Sequence, residues 1–600
     1  MKLTFALTLL CLPALSGADW KPAESPLTTP WTSQVKPGNA LPEYPRPQMA
    51  RKDWINLNGL WDYAIQPQQA TTPVKYDGRI LVPFPVESAL SGVKQPLTPE
   101  QRLWYRRTFT APNLKGKRLL LNFGAVDWRA EVWVNGKAVG KHEGGYDPFT
   151  LDITAALKGQ GPEEIVVAVW DPSDTGPQPR GKQVLNPNGI WYTAVSGIWQ
   201  TVWLEPVPEK YISELSLIPD LDGRKLRLTV HSGSSGEFTA IVKLGGKTVG
   251  RVSGKLNQQS AAPLSDVKPW SPDTPTLYDL DISLGGGDRV TSYFGLRKIE
   301  VRQDAAGFPR LFLNGQPLFV IGPLDQGWWP DGLYTAPTDE ALRFDIETLK
   351  KLGFNMCRKH VKVEPARYYY WCDKLGFMVW QDMPSAMPKG HASVKRGGGD
   401  DVEFTAQEDA IFRRELEALV RNLANAASVI AWVPFNEGWG QHDTNNILKW
   451  VKSLDGSRLV NAPSGWEDRG YGDMKDMHEY PGPGMYPAMP DRASVLGEFG
   501  GLGLPVEGHL WWNKRNWGYR TFEGRAKLQT GYEELMEKLE PLVQRGLAAA
   551  VYTQTTDVEG EVNGLMTYDR KVVKYDAVKL ADLHQRIISA GTGAKAAAGR

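Results

Sequence analysis

Two short apolar runs in the C-terminal half of the chain end in glutamate. Val429 to Phe435 leads into Asn436-Glu437-Gly438-Trp439, and Ser494 to Gly497 leads into Glu498-Phe499-Gly500-Gly501. Paired carboxyl groups suit cleavage of a glycosidic bond with retained configuration: one carboxylic acid protonates the leaving oxygen and one carboxylate attacks the anomeric carbon, with the two roughly 5 Å apart. Glycines after each glutamate let the backbone turn sharply and leave room for a substrate. A lone glutamate on a loop is ordinarily a solvated surface charge. The chemistry therefore depends on the elements that would hold the two together.

After Val301 those elements are strands alternating with helices. Phe319 to Gly322 reads as an apolar strand. A helix follows, capped by Thr338, acidic at Asp339 and Glu340, striped with Leu342, Ile346, Leu349 and Leu352, and ended at Gly353. Next come a strand over Phe354 to Arg358, a helix through Tyr368 to Leu375, a strand over Phe377 to Trp380, and a long helix around Ile411 to Ala424. Further strands are Val429 to Val433, Leu459 to Ala462, Ser494 to Gly497 and Ala548 to Tyr552. Repeated βα units over about 280 residues predict a (β/α)8 TIM barrel, which carries its chemistry at the strand C-termini.

The preceding half is all β. From Trp54 to about Pro206, short alternating segments include Ala130 to Val134 running into Asn135-Gly136, a tight-hairpin pair, and strands over Ile165 to Trp170 and Thr201 to Leu204. A jelly-roll β-sandwich of about 180 residues follows. Between about Glu209 and Val301, alternation at Leu226, Leu228 and Val230 and at Leu280, Ile282 and Leu284 predicts an immunoglobulin-like β-sandwich, with Pro269, Pro272 and Pro275 kept in a loop or on an edge. The expected division is a signal peptide over 1–18, the jelly-roll over 19–206, the immunoglobulin-like unit over 207–302, the barrel over 303–588, and a disordered tail over 589–600.

A chain of 600 residues is too long for one core, and Lys+Arg 69 against Asp+Glu 68 leaves no net field to attract nucleic acid or an anionic membrane. A neutral carbohydrate fits that balance, and 23 tryptophans supply flat faces for sugar rings as well as for ordinary packing. Lys2, the apolar run Leu3 to Leu15 and small Ser16, Gly17 and Ala18 read as a cleaved secretory signal, implying a secreted or periplasmic protein. No stretch has the ~20 apolar residues of a membrane span. Cys11 leaves with the signal; Cys357 and Cys372 are expected as free buried thiols.

Over nearly the whole mature chain the sequence resembles glycoside hydrolase family 2, the family of β-galactosidases, β-glucuronidases and β-mannosidases. The likeness runs through Trp54-Ile55-Asn56-Leu57-Asn58-Gly59-Leu60-Trp61, Trp104-Tyr105-Arg106-Arg107, Ser196-Gly197-Ile198-Trp199, Pro269-Trp270-Ser271-Pro272 and Phe294-Gly295-Leu296-Arg297. In the barrel it reaches Leu352-Gly353-Phe354-Asn355, Arg358, His360, Cys372-Asp373-Lys374-Leu375-Gly376, Asn436-Glu437 and Gly497-Glu498-Phe499-Gly500. The resemblance implies that Glu437 is the general acid/base and Glu498 the nucleophile. It implies that Asn436 bonds the sugar 2-hydroxyl, that Arg358 holds Glu498 ionised, and that His360 is a sugar-hydroxyl ligand or else a structural histidine. Tyr480 is a candidate donor to the nucleophile or a packing wall. Trp439, with Trp328, Trp329 and Trp466, is a candidate sugar platform or packing residue.

The sequence departs from the better-known members where the sugar would be read. The first barrel strand, which often ends in an Asn-Arg-His-Glu pattern, here runs Gly322-Pro323-Leu324-Asp325-Gln326, making Asp325 a substrate-binding candidate. The Asn-x-Lys clamp of β-glucuronidases is replaced by Glu559-Gly560-Glu561-Val562-Asn563-Gly564, a poor receiver of a uronate. Trp380-Gln381-Asp382 is similar to a β-mannosidase strand ending. A retaining exo-β-glycosidase follows, with β-galactoside the leading substrate and β-mannoside an alternative. A noncatalytic carbohydrate-binding protein on the same scaffold is the competing class. No cofactor and no metal are expected, since the reaction needs none and no dense ligand cluster is visible. The oligomeric state is left open.

Overall fold

The computed structural model describes residues 20–285, 287–388 and 393–593. The expected signal peptide and residues 594–600 of the expected tail lie outside them.

The first sandwich packs a six-stranded sheet against a four-stranded one. Alternation along Arg129–Val134 buries Ala130, Val132 and Val134 against Trp61, Leu121 and Val167. Asn135 and Gly136 both take positive φ, 51° and 75°, which a two-residue hairpin turn requires, so Val134 pairs with Lys137. The second sandwich has sheets of three and four strands around Leu226, Leu228, Val230, Leu280 and Ile282. The strand Val202–Val207 belongs to the first sandwich, one residue past the expected boundary. At the other boundary, Ile299–Gln303 pairs with Pro309–Leu313, and their Ile299, Leu311 and Leu313 join the barrel's interior cluster. This hairpin therefore plugs the bottom of the barrel and does not end the second sandwich.

We number the barrel strands β1 (Val320–Asp325), β2 (Met356–Lys359), β3 (Met378–Asp382), β4 (Val429–Val433), β5 (Leu459–Val460), β6 (Met474–Glu479), β7 (Ala493–Gly500) and β8 (Leu547–Thr553). They form one parallel sheet in the order β5-β4-β3-β2-β1-β8-β7-β6, and the bridge between Asn461 and Met474 closes it. The interior is a packed core of Val320, Leu324, Met356, Trp380, Val433, Val495 and Val551, as a barrel of this size demands. Strand β6 is one the apolar pattern does not reveal.

The helices are α1 (Asp339–Lys351), α2 (Ala366–Leu375), α3 (Ala406–Leu423), α4 (Thr444–Leu454), α5 (Arg525–Gln544) and α6 (Ala577–Thr592). Thr338 caps α1 by accepting from the Ala341 amide at 3.1 Å, and a Thr405/Glu408 capping box starts α3. Among the described residues no helix joins β5 to β6 or β6 to β7. The second of those connections carries Pro481, Pro483, Pro487 and Pro490, which a helix interior rejects. Helix α6 continues through Thr592, where the sequence suggests a disordered tail from 589. Gly591 packs directly on the Phe319 side chain and Gly593, at φ 68°, ends the helix. Cys357 and Cys372 are buried and free. No helix of the described residues is long and apolar enough to cross a membrane.

Candidate active site

Strand alternation decides which side chains enter the barrel mouth. In β2 and its extension, Met356 points inward, so Arg358 and His360 follow it and Lys359 faces out. In β1 the inward residue is Leu324, which turns Asp325 outward. There it bonds the Lys359 ammonium at 2.7 Å and accepts from the Tyr368 hydroxyl and the Gly327 amide. The structure thus gives Asp325 a partner behind the strands and does not bring it to the glutamate pair. Gln381 is turned away in the same manner, taking a hydrogen bond from Tyr369 at 2.6 Å.

Glu498 reaches the pocket by a different device. Leu496 and Phe499 both pack outside β7, and simple alternation would send Glu498 out with Leu496. A register shift between Leu496 and Phe499, matched by one at Met477/His478 in β6, turns Glu498 inward and sets it opposite His478. Glu437 follows β4 with a left-handed backbone, φ 49°, and its amide bonds the Ser464 carbonyl at 2.8 Å. Oxygens of Glu437 and Glu498 and a ring nitrogen of His478 all lie within 4.8 Å of one another. This is the one trio of metal-type ligands among the described residues, and it is already tied by an internal hydrogen bond, His478 Nδ1 to Glu437 Oε1 at 2.8 Å.

Arg358 is the hub. Its guanidinium donates to Asp382 at 2.9 Å, to Glu498 Oε1 at 3.2 Å, to the Gly497 carbonyl at 3.2 Å and to Asn436 Oδ1 at 2.7 Å. With its oxygen held, Asn436 keeps a buried amide nitrogen that no group among the described residues accepts from, a donor presented to the pocket. Tyr480 donates to Glu498 Oε2 at 2.5 Å, and its ring stacks on Tyr519 at 3.7 Å. Burial alone would raise the Glu498 carboxyl, but the basic groups His478, His360, Arg358 and Lys182 outweigh it and bring it to about 2. Burial would likewise lower His478; the carboxylates of Glu498 and Glu437 reverse that and hold it above the ordinary histidine value.

The imidazole of His478 continues a chain. Ser464 donates to Asp476 at 2.6 Å, leaving its oxygen to receive His478 Nε2–H at 2.8 Å. Asp476 also takes the Gly497 amide at 2.6 Å, which steadies the bulge beneath Glu498. Sequence reasoning missed His478, because β6 lacks an apolar run, and missed Asp382, which aligns both Arg358 and His360. His360 Nδ1 bonds Asp382 at 2.8 Å, and burial keeps its imidazole neutral, well below the usual value, so Nε2 remains an acceptor.

Trp439 is half-buried, 5.0 Å from the ring of Trp191 and 6.3 Å from that of His360, at the rim of the pair. The ring of Trp466 lies 5.8 Å from that of His478. Trp328 and Trp329 are core residues: the first is wedged against Tyr192 and Tyr334, and the second lies under the Arg570 guanidinium at 3.8 Å. The two acids of the β8 loop dock the first sandwich. Tyr192 donates its hydroxyl to Glu561, and Thr193 bonds Glu559 through its amide at 2.9 Å. A separate cavity of about 170 Å³ at the sandwich–barrel junction, bordered by Leu41, Trp199, Leu342 and Leu419, contains neither catalytic candidate.

The chain matches three domains described as "Glycosyl hydrolase 2 galactose-binding domain-like" over residues 89–189, "Glycosyl hydrolases family 2" over 210–297, and "Glycosyl hydrolases family 2, TIM barrel domain" over 311–489. It is 25% identical over 378 residues to a beta-galactosidase of Thermoanaerobacter pseudethanolicus, covering 59% of this chain and 47% of that protein. The chain thus spans about half the length of that curated relative. Among solved structures, the β-D-glucuronidase of Dictyoglomus thermophilum superposes with a TM-score of 0.71 at 18% identity, covering 91% of this chain and 98% of that one. The Ruminococcus gnavus β-glucuronidase gives 0.71 at 17%, covering 91% and 100%. At such identities these two likenesses concern the fold. With the three domains matched in order, and the paired glutamates at the mouth of the third, this chain belongs to glycosyl hydrolase family 2.

Proposed function

We propose that the chain is a retaining exo-β-glycosidase that hydrolyses terminal β-glycosidic bonds of oligo- or polysaccharides, with a β-galactoside as its leading substrate. The observation that carries this reading is the approach of the Glu437 and Glu498 carboxylates to within 4.8 Å. Inverting enzymes separate their carboxyls by about 6.5–9.5 Å to admit a water, whereas retaining ones bring them to about 5–5.5 Å.

In the first step Glu498, held ionised by its cationic neighbours, attacks the anomeric carbon while Glu437 protonates the departing oxygen with the proton it shares with His478. In the second, Glu437 takes a proton from water, which attacks the glycosyl-enzyme and frees Glu498. Asn436 Nδ2 is placed to bond the sugar 2-hydroxyl, a contact that strengthens as the ring gains oxocarbenium character. His360 offers an acceptor beside it, Tyr480 orients Glu498, and Trp439 borders the sugar. A neutral glycone is supported by the β8 loop, where Glu559 and Glu561 stand in place of a uronate clamp. The outward turn of Gln381 weakens the case for a mannoside. Export by the residue 1–18 leader belongs to the same reading, and N-terminal sequencing of the exported protein tests it.

A panel of aryl β-glycosides decides the matter, with NMR of the first-formed anomer. The expected result is release of the β-anomer, and turnover lost in Glu498→Ala. Absence of release from every sugar, or an α-anomer product, overturns the proposal, the former in favour of a noncatalytic carbohydrate-binding protein.

A further inference from the structure

Four lysines are buried among the described residues: Lys182, Lys359, Lys362 and Lys574. Three have carboxylate partners, Asp325 at 2.7 Å, Glu364 at 2.8 Å and Asp557 at 2.6 Å respectively. Lys182 differs. It is 4% exposed, yet among the described residues no carboxylate lies within 4.0 Å of its ammonium and no protein acceptor hydrogen-bonds it. Two ring faces border it, with Nζ 5.5 Å from the centroid of Tyr192 and 5.8 Å from that of Trp439. An ammonium with three N–H donors in so buried a residue, hydrogen-bonded to no acceptor among the described residues, must take its acceptors from pocket water or from a ligand that replaces it.

The backbone presenting this lysine is built to hold it. It comes from the first sandwich and is pinned to the loop after β3, since the Arg180 and Gly181 amides both donate to the Ser385 carbonyl, at 3.0 and 3.2 Å. Gly181 has φ +60°, and a Cβ there would stand 2.3 Å from the Val361 carbonyl oxygen. The Lys182 carbonyl accepts from the Tyr192 amide at 3.0 Å. The side chain enters the space bounded by Trp439, His360, Glu498 and Glu561, the charges and rings that surround the candidate catalytic pair.

We propose that Lys182 is a glycone-binding residue, donating from another domain to a ring hydroxyl of the terminal sugar at a carbon other than C2, and selecting neutral sugars that bear that hydroxyl. This rests on the reading of the pocket as a glycosidase site. The hydroxyl is favoured over a carboxylate by charge count. Glu561 and Glu498 already face this one ammonium, beside the Glu437 that carries the proton for the leaving oxygen, and a further carboxylate would be set beside two like charges that compete for the same donor.

The test compares wild type, Lys182→Met and Lys182→Arg on the best aryl β-glycoside of the panel, its 3-, 4- and 6-deoxy analogues and the corresponding uronide. Lys182→Met is expected to lower kcat/KM on the parent by about 10- to 100-fold, with no loss on the one analogue that lacks the contacted hydroxyl, and Lys182→Arg to recover part of it. The same sugars titrated calorimetrically against Glu498→Ala and Glu498→Ala/Lys182→Met give the comparison without turnover, so a failed glycosidase reading is told apart from a failed assignment of Lys182. An equal loss on every analogue, no loss at all, or a wild type that prefers the uronide and loses that preference in Lys182→Met overturns the proposal. An unchanged melting temperature in Lys182→Met shows that the variant is folded.

Discussion

Replacing Arg358 by methionine keeps an unbranched side chain in the barrel mouth and removes one charge. In the native arrangement the carboxyl of Glu498 is displaced from 4.5 to about 2, equivalent to about 3 kcal/mol in favour of the ionised form. Arg358 is one of four basic side chains responsible, and a single opposite charge at this range is worth about 1–3 pKa units. Arg358→Met should therefore carry the acid limb of kcat/KM up by about 1 to 2 units, toward pH 4. It also strands Asp382 and Glu498 as buried charges without their shared partner, a cost of about 3–5 kcal/mol in stability. The stability profile has a definite sign. Because the folded value of Glu498 lies below its unfolded one, its contribution is present above pH 4.5 and is lost as pH falls toward 2; in Arg358→Met that dependence should flatten. The assay is kcat/KM on an activated aryl glycoside from pH 2.5 to 8, with brief exposure at each pH and melting curves in parallel. An acid limb that stays in place in a folded Arg358→Met enzyme refutes the assignment of Arg358 as the group holding the nucleophile ionised.

His478→Gln keeps a hydrogen-bonding side chain next to Glu437 but holds no exchangeable ring proton. It should cost about 100-fold in kcat/KM on alkyl glycosides, whose leaving groups need a proton, and under tenfold on dinitrophenyl glycosides; equal losses on both would remove His478 from proton transfer. Tyr480→Phe deletes the 2.5 Å donor to Glu498 and is expected to lower kcat/KM by about 10- to 100-fold and raise the acid limb, measured on the same substrates. Gly181→Ala forces a Cβ into the Val361 carbonyl; a loss of about 1–3 kcal/mol in denaturant unfolding is expected, with a raised KM as Lys182 is displaced.

Much of this protein was legible from periodicity and turn chemistry. Alternation at Ala130 to Val134 with its Asn-Gly turn, and the amphipathic stripe from Leu342 to Leu352 between a threonine cap and Gly353, are local patterns, and local patterns determine element type. Glu437 and Glu498 could be found because each ends an apolar run, and a buried parallel strand must be apolar on both faces. The same rule hid β6, whose Asp476 and His478 face inward as members of a polar network satisfied by Ser464, Asn461, the Gly497 amide and Glu437. Strand parity, which the sequence leaves undetermined without the register, sent Asp325 and Gln381 outward. The bulge in β7 sent Glu498 inward against simple alternation. The lysine of the pocket lay farthest from view. Lys182 is more than 250 residues from either glutamate, and only the docking of one domain on another brings it to them. The sequence by itself thus determined most of the elements and the candidate pair of glutamates, because both follow from near-neighbour physics. The tertiary structure decided which side chains share the pocket with that pair, because register, bulges and domain contacts are long-range choices.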